Sequence, residues 1–443
     1  MDILIYLTEK LNSTTKTERL QAITEIGKMI KKGKIIRKKS EEVNNHVHTI
    51  YSFSPYSPSC TAFQAWKAGL QTIGIMDHDS IAGCEELLFA CKSIGISSTV
   101  GFELRVNFNQ TRLQGRRINS PDSKNIAYIA IHGIAQSQFS RTKEFLKSIN
   151  ERRNARNYLM VERMNQLLFD FGIEKIDYYQ NIFPLSKADE GGSVTERHLL
   201  LALAKNLVQQ IGKGKKLISF LQGKLRIIIP EKIKSYLIES NNPHYLYDLL
   251  GILKSSFMEN IYIEPDYQEC ISVYEAINFA NSIYAIPAYA YLGDVLESPT
   301  GDKKSQKFED DYLEELFAEI KSIGFKAVTY MPPRNTIQQL KRVQQLCQEY
   351  NLMEISGVDI NQSRQSFNCP EILKPPFQHL IDMTWALIAH EKLANYNLHY
   401  ALFNEQNPLR NHSLRYKLKV YGAIGRQIDP YNPENVAHLL PYV

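Results

Sequence analysis

The sequence predicts an α/β protein in which parallel strands and crossover helices build a barrel, interrupted by a long helical insertion. Three observations predict it. Short β-rich runs alternate with helical stretches over residues 43–106, and the same rhythm returns from residue 260. Between them, after one further strand-like run at 125–131, more than a hundred residues read as helix. Several of the β-rich runs end abruptly in polar side chains, as strands do where a barrel opens on its C-terminal face.

Leu20, Ile23, Ile26 and Ile30 mark one face of an opening helix. The Lys-rich stretch after it reads as a solvated helix end and linker, so residues 1–40 are expected to form a basic appendage. The first part of the barrel is expected over 41–135, with strands at 72–76, 98–100 and 125–131 and a helix at 81–94. The helical insertion would cover 136–258. There Leu159, Met164, Leu167, Leu168 and Phe171 should line one helix, and Ser193 with Glu196 reads as a capping box opening the helix that continues through 199–208. The second part of the barrel, 259–390, is expected to hold strands at 260–264, 284–291, 326–330 and 353–357, with helices at 271–283, 310–323 and 336–350. Residues 391–443 have weak periodicity and are assigned a packing role.

A chain of 443 residues suits two domains or one barrel with insertions. With 44% hydrophobic and 22% charged residues, 22 Gly and 18 Pro, it is neither disordered nor collagen-like. No apolar run reaches the ~18 residues of a membrane span, since even 380–389 is short and contains Asp382. The start lacks a secretory pattern and the six cysteines have no paired spacing, so a cytoplasmic, reduced chain is expected. The net charge of +5 is local: residues 1–40 hold ten Lys or Arg against four carboxylates, a surplus larger than that of the whole chain. The remaining body is near neutral and offers no extended field for a polymeric anion. Only residues 28–39 form a possible anion patch, and a solvated helix end is the plainer reading of them.

Five of the eleven histidines fall where strands or loops meet helices: His46, His48, His78, His132 and His198. In Asn45-His46-Val47-His48-Thr49 an extended chain puts both imidazoles on one face, where two ligands can meet one metal, although an exposed strand face would show the same pattern. Gly74-Ile75-Met76-Asp77-His78-Asp79-Ser80 is an apolar strand ending in three metal-competent side chains. Asp79-Ser80 could simply cap the next helix, but capping does not require His78. Val100-Gly101-Phe102-Glu103 ends in a carboxylate able to bridge two cations. His132 follows the apolar run 129–131 and alone would read as a hydrogen-bonded core histidine.

Taken in order, these segments resemble the PHP domain, the polymerase and histidinol phosphatase family. The resemblance rests on His46-Val47-His48-Thr49, Met76-Asp77-His78-Asp79-Ser80, Gly101-Phe102-Glu103, His132, Arg197-His198 and Gly357-Val358-Asp359, and spans residues 44–361 with interruptions. It implies a distorted seven-stranded β/α barrel whose strand ends hold two or three divalent metals. Residue by residue, it implies one metal on His46, His48, Glu103 and Asp359, and a second on Glu103, His132 and His198. His78 would belong to a third position. Such ligands suit Zn, Mn or Fe, and two adjacent cations generate a hydroxide nucleophile for in-line attack on a phosphoester. Asp77 or Asp79 would orient His78 or handle a proton.

The chain departs from the family pattern at three places. Phe53 stands five residues after the second His where an Asp is usual, and Asn361 stands two residues after Asp359 where a His is usual. Tyr291 replaces the His of a frequent Ala-His-Pro, with Asp294 nearby. The first two losses fall on the partners of His78, so the third position is expected to bind weakly or not at all. Arg197 and Arg334 are candidate phosphate clamps. The expected function is metal-dependent hydrolysis of a small phosphomonoester or nucleotide, with no membrane partner and nucleic acid not favoured. The alternatives are a metal-binding scaffold without catalysis, or an exonuclease that uses residues 28–39.

Overall fold

In the computed structural model, which describes residues 3–120, 123–295 and 307–443, seven strands form one sheet in chain order. Strands β1 (Val43–Val47), β2 (Thr72–His78) and β3 (Ser97–Asn107) pair in parallel. Strand β4 (Ile126–His132) runs antiparallel to both of its neighbours, β3 and β5 (Ile286–Ala290). Strands β6 (Ala327–Tyr330) and β7 (Met353–Ser356) then restore parallel pairing. Parallel pairing thus holds on either side of β4 and fails at it. A parallel return needs a crossover, usually a helix, whereas the described part of 108–125 contains only turns, so the chain comes straight back beside β3.

The sheet curls until its ends meet. Val47 bridges Ile360 in parallel, His48 N–H donates to the Ile360 carbonyl at 3.0 Å, and the Asn45 amide donates to the Ser356 carbonyl at 2.8 Å. Gly357 permits this approach. A Cβ there would lie 2.6 Å from both Cβ and N of His46, so any side chain would hold the two edges apart.

Helices α1 (Ile3–Lys10) and α2 (Lys16–Lys31) precede the sheet, and α3 (Pro58–Lys67) and α4 (Cys84–Ile94) connect its first strands. Helix α2 packs on α4, with Ile23 and Ile26 fully buried in the main core. After β4 come α5 (Phe139–Leu168), α6 (Glu196–Ile211), α7 (Lys215–Gly223), α8 (Glu231–Ile238) and α9 (Tyr245–Ile261). They enclose a second hydrophobic cluster, which Phe53 enters from the barrel side. Helices α10 (Val273–Ser282), α11 (Leu313–Ile323) and α12 (Ile337–Glu349) cover the later strands, and α13 (His379–Tyr396) packs on β7 and on α14 (Leu414–Gly425). Among the described residues no helix is long and apolar enough to cross a membrane, and all six cysteines are buried and free.

Three local expectations are corrected. Residues 260–264 are the end of α9 and an irregular segment, not a strand, because Ile261 continues the buried face of the helix. Along α5 the buried face runs through Arg153, Asn157, Met160, Val161, Met164 and Leu168, while Leu159 and Leu167 are exposed. Phe171, also exposed, falls in a short turn after the helix. The apolar count missed this face because part of it is polar. Helix α6 is capped by Thr195 rather than Ser193: the Thr195 N–H donates to Nδ1 of His198 at 2.9 Å, so His198 takes the part expected of Glu196.

Candidate metal centre

The ligand-type side chains reach the barrel mouth because strand register puts them there. His78 ends β2 and pairs in register with Glu103 on β3, and His46 and His48 lie at the end of β1, two residues apart and so on one face. Asp359 follows Gly357, on the segment that closes the barrel against β1. His132 lies one step deeper, since the antiparallel register sets it opposite Gly101. A Cβ at Gly101 would come within 2.3 Å of the Ile131 carbonyl oxygen, so only glycine allows this pairing.

Two groups of ligand atoms converge within 4.8 Å: His46, His48 and Asp359, and His48, His78 and Glu103. Nε2 of His48 is 3.2 Å from Oδ1 of Asp359, and Nδ1 of His78 is 2.8 Å from Oε2 of Glu103. Nε2 of His46 and of His48 each lie 3.9 Å from that same Glu103 oxygen. His132 and His198 join neither group. His198 turns its ring edge toward Phe53, with centroids 5.1 Å apart.

Burial would raise the Glu103 carboxyl, but His78, His46 and His48 outweigh it and hold it down to about 2. Burial likewise opposes ionisation of Asp359, yet His48, then His46 and Arg197, keep it well below the usual carboxylate range. His132 and His198 are each pushed down to about 3 by burial, so both imidazoles are neutral; the lone pair of His198 Nδ1 already accepts from the Thr195 N–H, whereas that of His132 is free. Both ring nitrogens of His132 are buried without a hydrogen-bond partner. An imidazole left so costs about 1–3 kcal/mol per unmet group, and a cation would meet one of them. Three converging imidazoles, two ionised carboxylates and the partnerless His132 therefore fit divalent metal.

The sequence profile of the PHP domain matches residues 44–325. The chain belongs to the PHP family. A 5′-3′ exoribonuclease from Haemophilus influenzae is 27% identical over 168 residues, which are 38% of this PHP chain and 50% of that protein, so the match spans about half the relative's length. Two solved structures are similar in outline. One, described as a candidate metal-dependent phosphoesterase from Bifidobacterium adolescentis, is 17% identical with a TM-score of 0.47, covering 75% of this chain and 94% of that one. The other, an amidohydrolase from Chromobacterium violaceum, is 16% identical with a TM-score of 0.48, covering 77% and 96%.

Beside these ligand-type side chains lies a cavity of about 210 Å³, lined by His46, His78, Glu103 and Asp359 on one side and by Arg197 and Lys254 from the helical insertion. The Arg197 guanidinium sits 5.7 Å from the Phe53 ring centroid. Arg334 lies outside the lining, and its Nε donates to the Leu292 carbonyl at 3.0 Å. Tyr291 lines the cavity and donates to Asp310, while Asp294 accepts from the Phe308 N–H.

Neither Asp77 nor Asp79 lines the cavity. Asp77 accepts from the Thr49 N–H, the Thr49 hydroxyl and the Ser52 hydroxyl, each at 2.6 Å, and Oγ of Ser52 is 3.2 Å from Nδ1 of His48. It therefore steadies the segment that carries His48 instead of His78. Asp79 ion-pairs with Arg153 at 2.5 Å. The residues that sequence reasoning missed are the buried Arg105, Arg153, Arg156 and Glu269, together with the half-buried Glu196, which it read only as a helix cap. Only Arg105, two residues beyond Glu103 on the same strand face, left a readable signal.

Proposed function

We propose that this PHP chain hydrolyses a small phosphomonoester or nucleotide at the metal centre. The observation that carries this reading is the position of Arg197, which faces the same cavity as His46, Glu103 and Asp359 from the first turn of α6. A guanidinium and a helix N-terminus there would both receive phosphate oxygens. The cavity volume lies below the ~300–1,000 Å³ of drug-sized sites, which favours a compact substrate. Zinc, manganese or iron on this donor set would activate water near neutral pH and neutralise phosphate charge. Ser52 and Asp77 would hold His48 in its orientation, as partners behind a metal ligand do. The test is a screen of phosphorylated metabolites with protein loaded with each metal and with chelated protein. Turnover that survives exhaustive chelation refutes the reading, and metal binding without turnover of any ester leaves a metal-binding scaffold.

The name of the Haemophilus relative favours a second reading, an exonuclease that draws a strand along the basic residues 28–39. It requires binding to single-stranded RNA that falls steeply with salt. Salt-independent or absent binding eliminates it.

A further inference from the structure

We propose that Glu269 is a positioning residue for the metal centre, acting through three buried arginines; the inference rests on the metal-centre reading above. Glu269 is 2% exposed and does not line the cavity. Its Oε1 accepts from Nη2 of Arg105 at 2.8 Å, Nε of Arg153 at 3.3 Å and Nη2 of Arg156 at 2.8 Å, and its Oε2 accepts from Nε of Arg156 at 2.5 Å. Each arginine then reaches a segment that carries a ligand-type residue. Arg153 pairs with Asp79, the neighbour of His78. Arg105 shares its strand face with Glu103 and donates to Glu196, two residues before His198, at 3.0 Å. Arg156 donates to the same Glu196 oxygen at 2.7 Å.

Three guanidiniums thus face three carboxylates, Asp79, Glu196 and Glu269, and the cluster carries no surplus charge toward the metals. It also holds a backbone that local preference opposes. Asp79 has φ +45°, a left-handed conformation uncommon outside glycine, and helix α5 secures it twice, through Arg153 and through the Asn150 amide on the Asp79 carbonyl at 2.8 Å. Among the described residues Glu269 is the one carboxylate that touches all three arginines, so neutralising it frees cations beside the ligand-type residues and loosens their supports together.

The test is Mn²⁺ affinity, measured by competition with a chelating dye on the full chain. Glu269→Gln should weaken binding about tenfold or more, the usual effect of losing a partner behind a ligand. Leu253→Ala, which opens the insertion core without touching the cluster, should keep native affinity at a comparable loss of thermal stability. The double variant Glu269→Gln/Arg156→Gln, which restores charge balance, should recover part of the loss. If Glu269→Gln does not fold, Arg153→Lys replaces it, keeping charge but losing the fork, and should also weaken binding. Native affinity in the variant used, or an equal loss in Leu253→Ala, overturns the proposal. A native protein that binds Mn²⁺ but hydrolyses no phosphate ester refutes the proposed function and leaves this inference standing. A native protein that binds no divalent metal refutes both.

Discussion

Asn361 donates from its side-chain amide to both carboxylate oxygens of Asp359, at 2.7 and 2.9 Å, and so turns hydrogens rather than a lone pair toward a candidate metal ligand. Across the site, Phe53 packs its ring between His198 and the Arg197 guanidinium. His78, left without either partner that the PHP resemblance leads one to expect, pairs with Glu103. A phenyl ring cannot coordinate a cation, and Asn361 offers only its neutral, partnerless Oδ1, a weaker ligand than an imidazole or a carboxylate, so this part of the site is poor in ligands.

The third metal position should therefore be the first to empty, or never fill. Elemental analysis during graded chelation checks this, with Asn361→His expected to gain metal or hold it longer. Three native metals of equal tenacity, unchanged by the substitution, would show that Phe53 and Asn361 leave the site intact.

Asp359→Ala should lower metal-dependent turnover by about two orders of magnitude or more, because it removes an ionised oxygen from the group that includes His46 and His48. Its side chain is 36% exposed, so thermal unfolding should shift by only a few degrees. Native turnover by the variant would exclude Asp359 from the chemistry.

Glu309 should make stability fall toward alkaline pH. It is fully buried and pushed up to about 7 by burial, against the opposing Leu292 N–H, and its Oε2 has no partner. Its folded form holds a proton more tightly than the unfolded chain, so its contribution is complete below about pH 4.5 and lost as pH rises through about 7. The difference is worth about 3 kcal/mol. Glu309→Gln, neutral throughout, should match the native protein near pH 4 and exceed it by about 3 kcal/mol at pH 8 in urea unfolding. Parallel pH profiles would contradict this.

Arg19→Met should destabilise the chain by about 3–5 kcal/mol, since it strands a buried carboxylate. Arg19 is unexposed and gives Glu86 two hydrogen bonds, at 2.9 and 2.7 Å, which tie α2 to α4. Adding Glu86→Gln should recover much of the loss, because Ser59 still supplies donors to that oxygen. Denaturant midpoints of the single and double variants decide it, and additive losses would argue against the pair.

Local pattern carried much of this protein. Apolar runs ending in His78 and His132, the period-two pair His46 and His48, and the spacing to Asp359 are written in the sequence, because strand alternation and strand ends are short-range properties; Glu103, expected at a strand end, lies instead inside β3, which pairs with β4 as far as Asn107. Helices α10, α11 and α12 were legible for the same reason, whereas α13 and α14, where periodicity is weak, were not. Tertiary structure decided what depends on partners distant in the chain. It reversed β4, since direction follows from what the connection packs against. It drew Arg19, Arg105, Arg153 and Arg156 into the interior, where each guanidinium is offset by a carboxylate up to 164 residues away, as between Arg105 and Glu269. It also paired Asp77 with Ser52 and Asp79 with the cavity-lining Arg153, leaving neither carboxylate in the lining itself. A buried charge is stable only beside its counter-charge, and composition or periodicity along one segment holds no record of which distant residue supplies it.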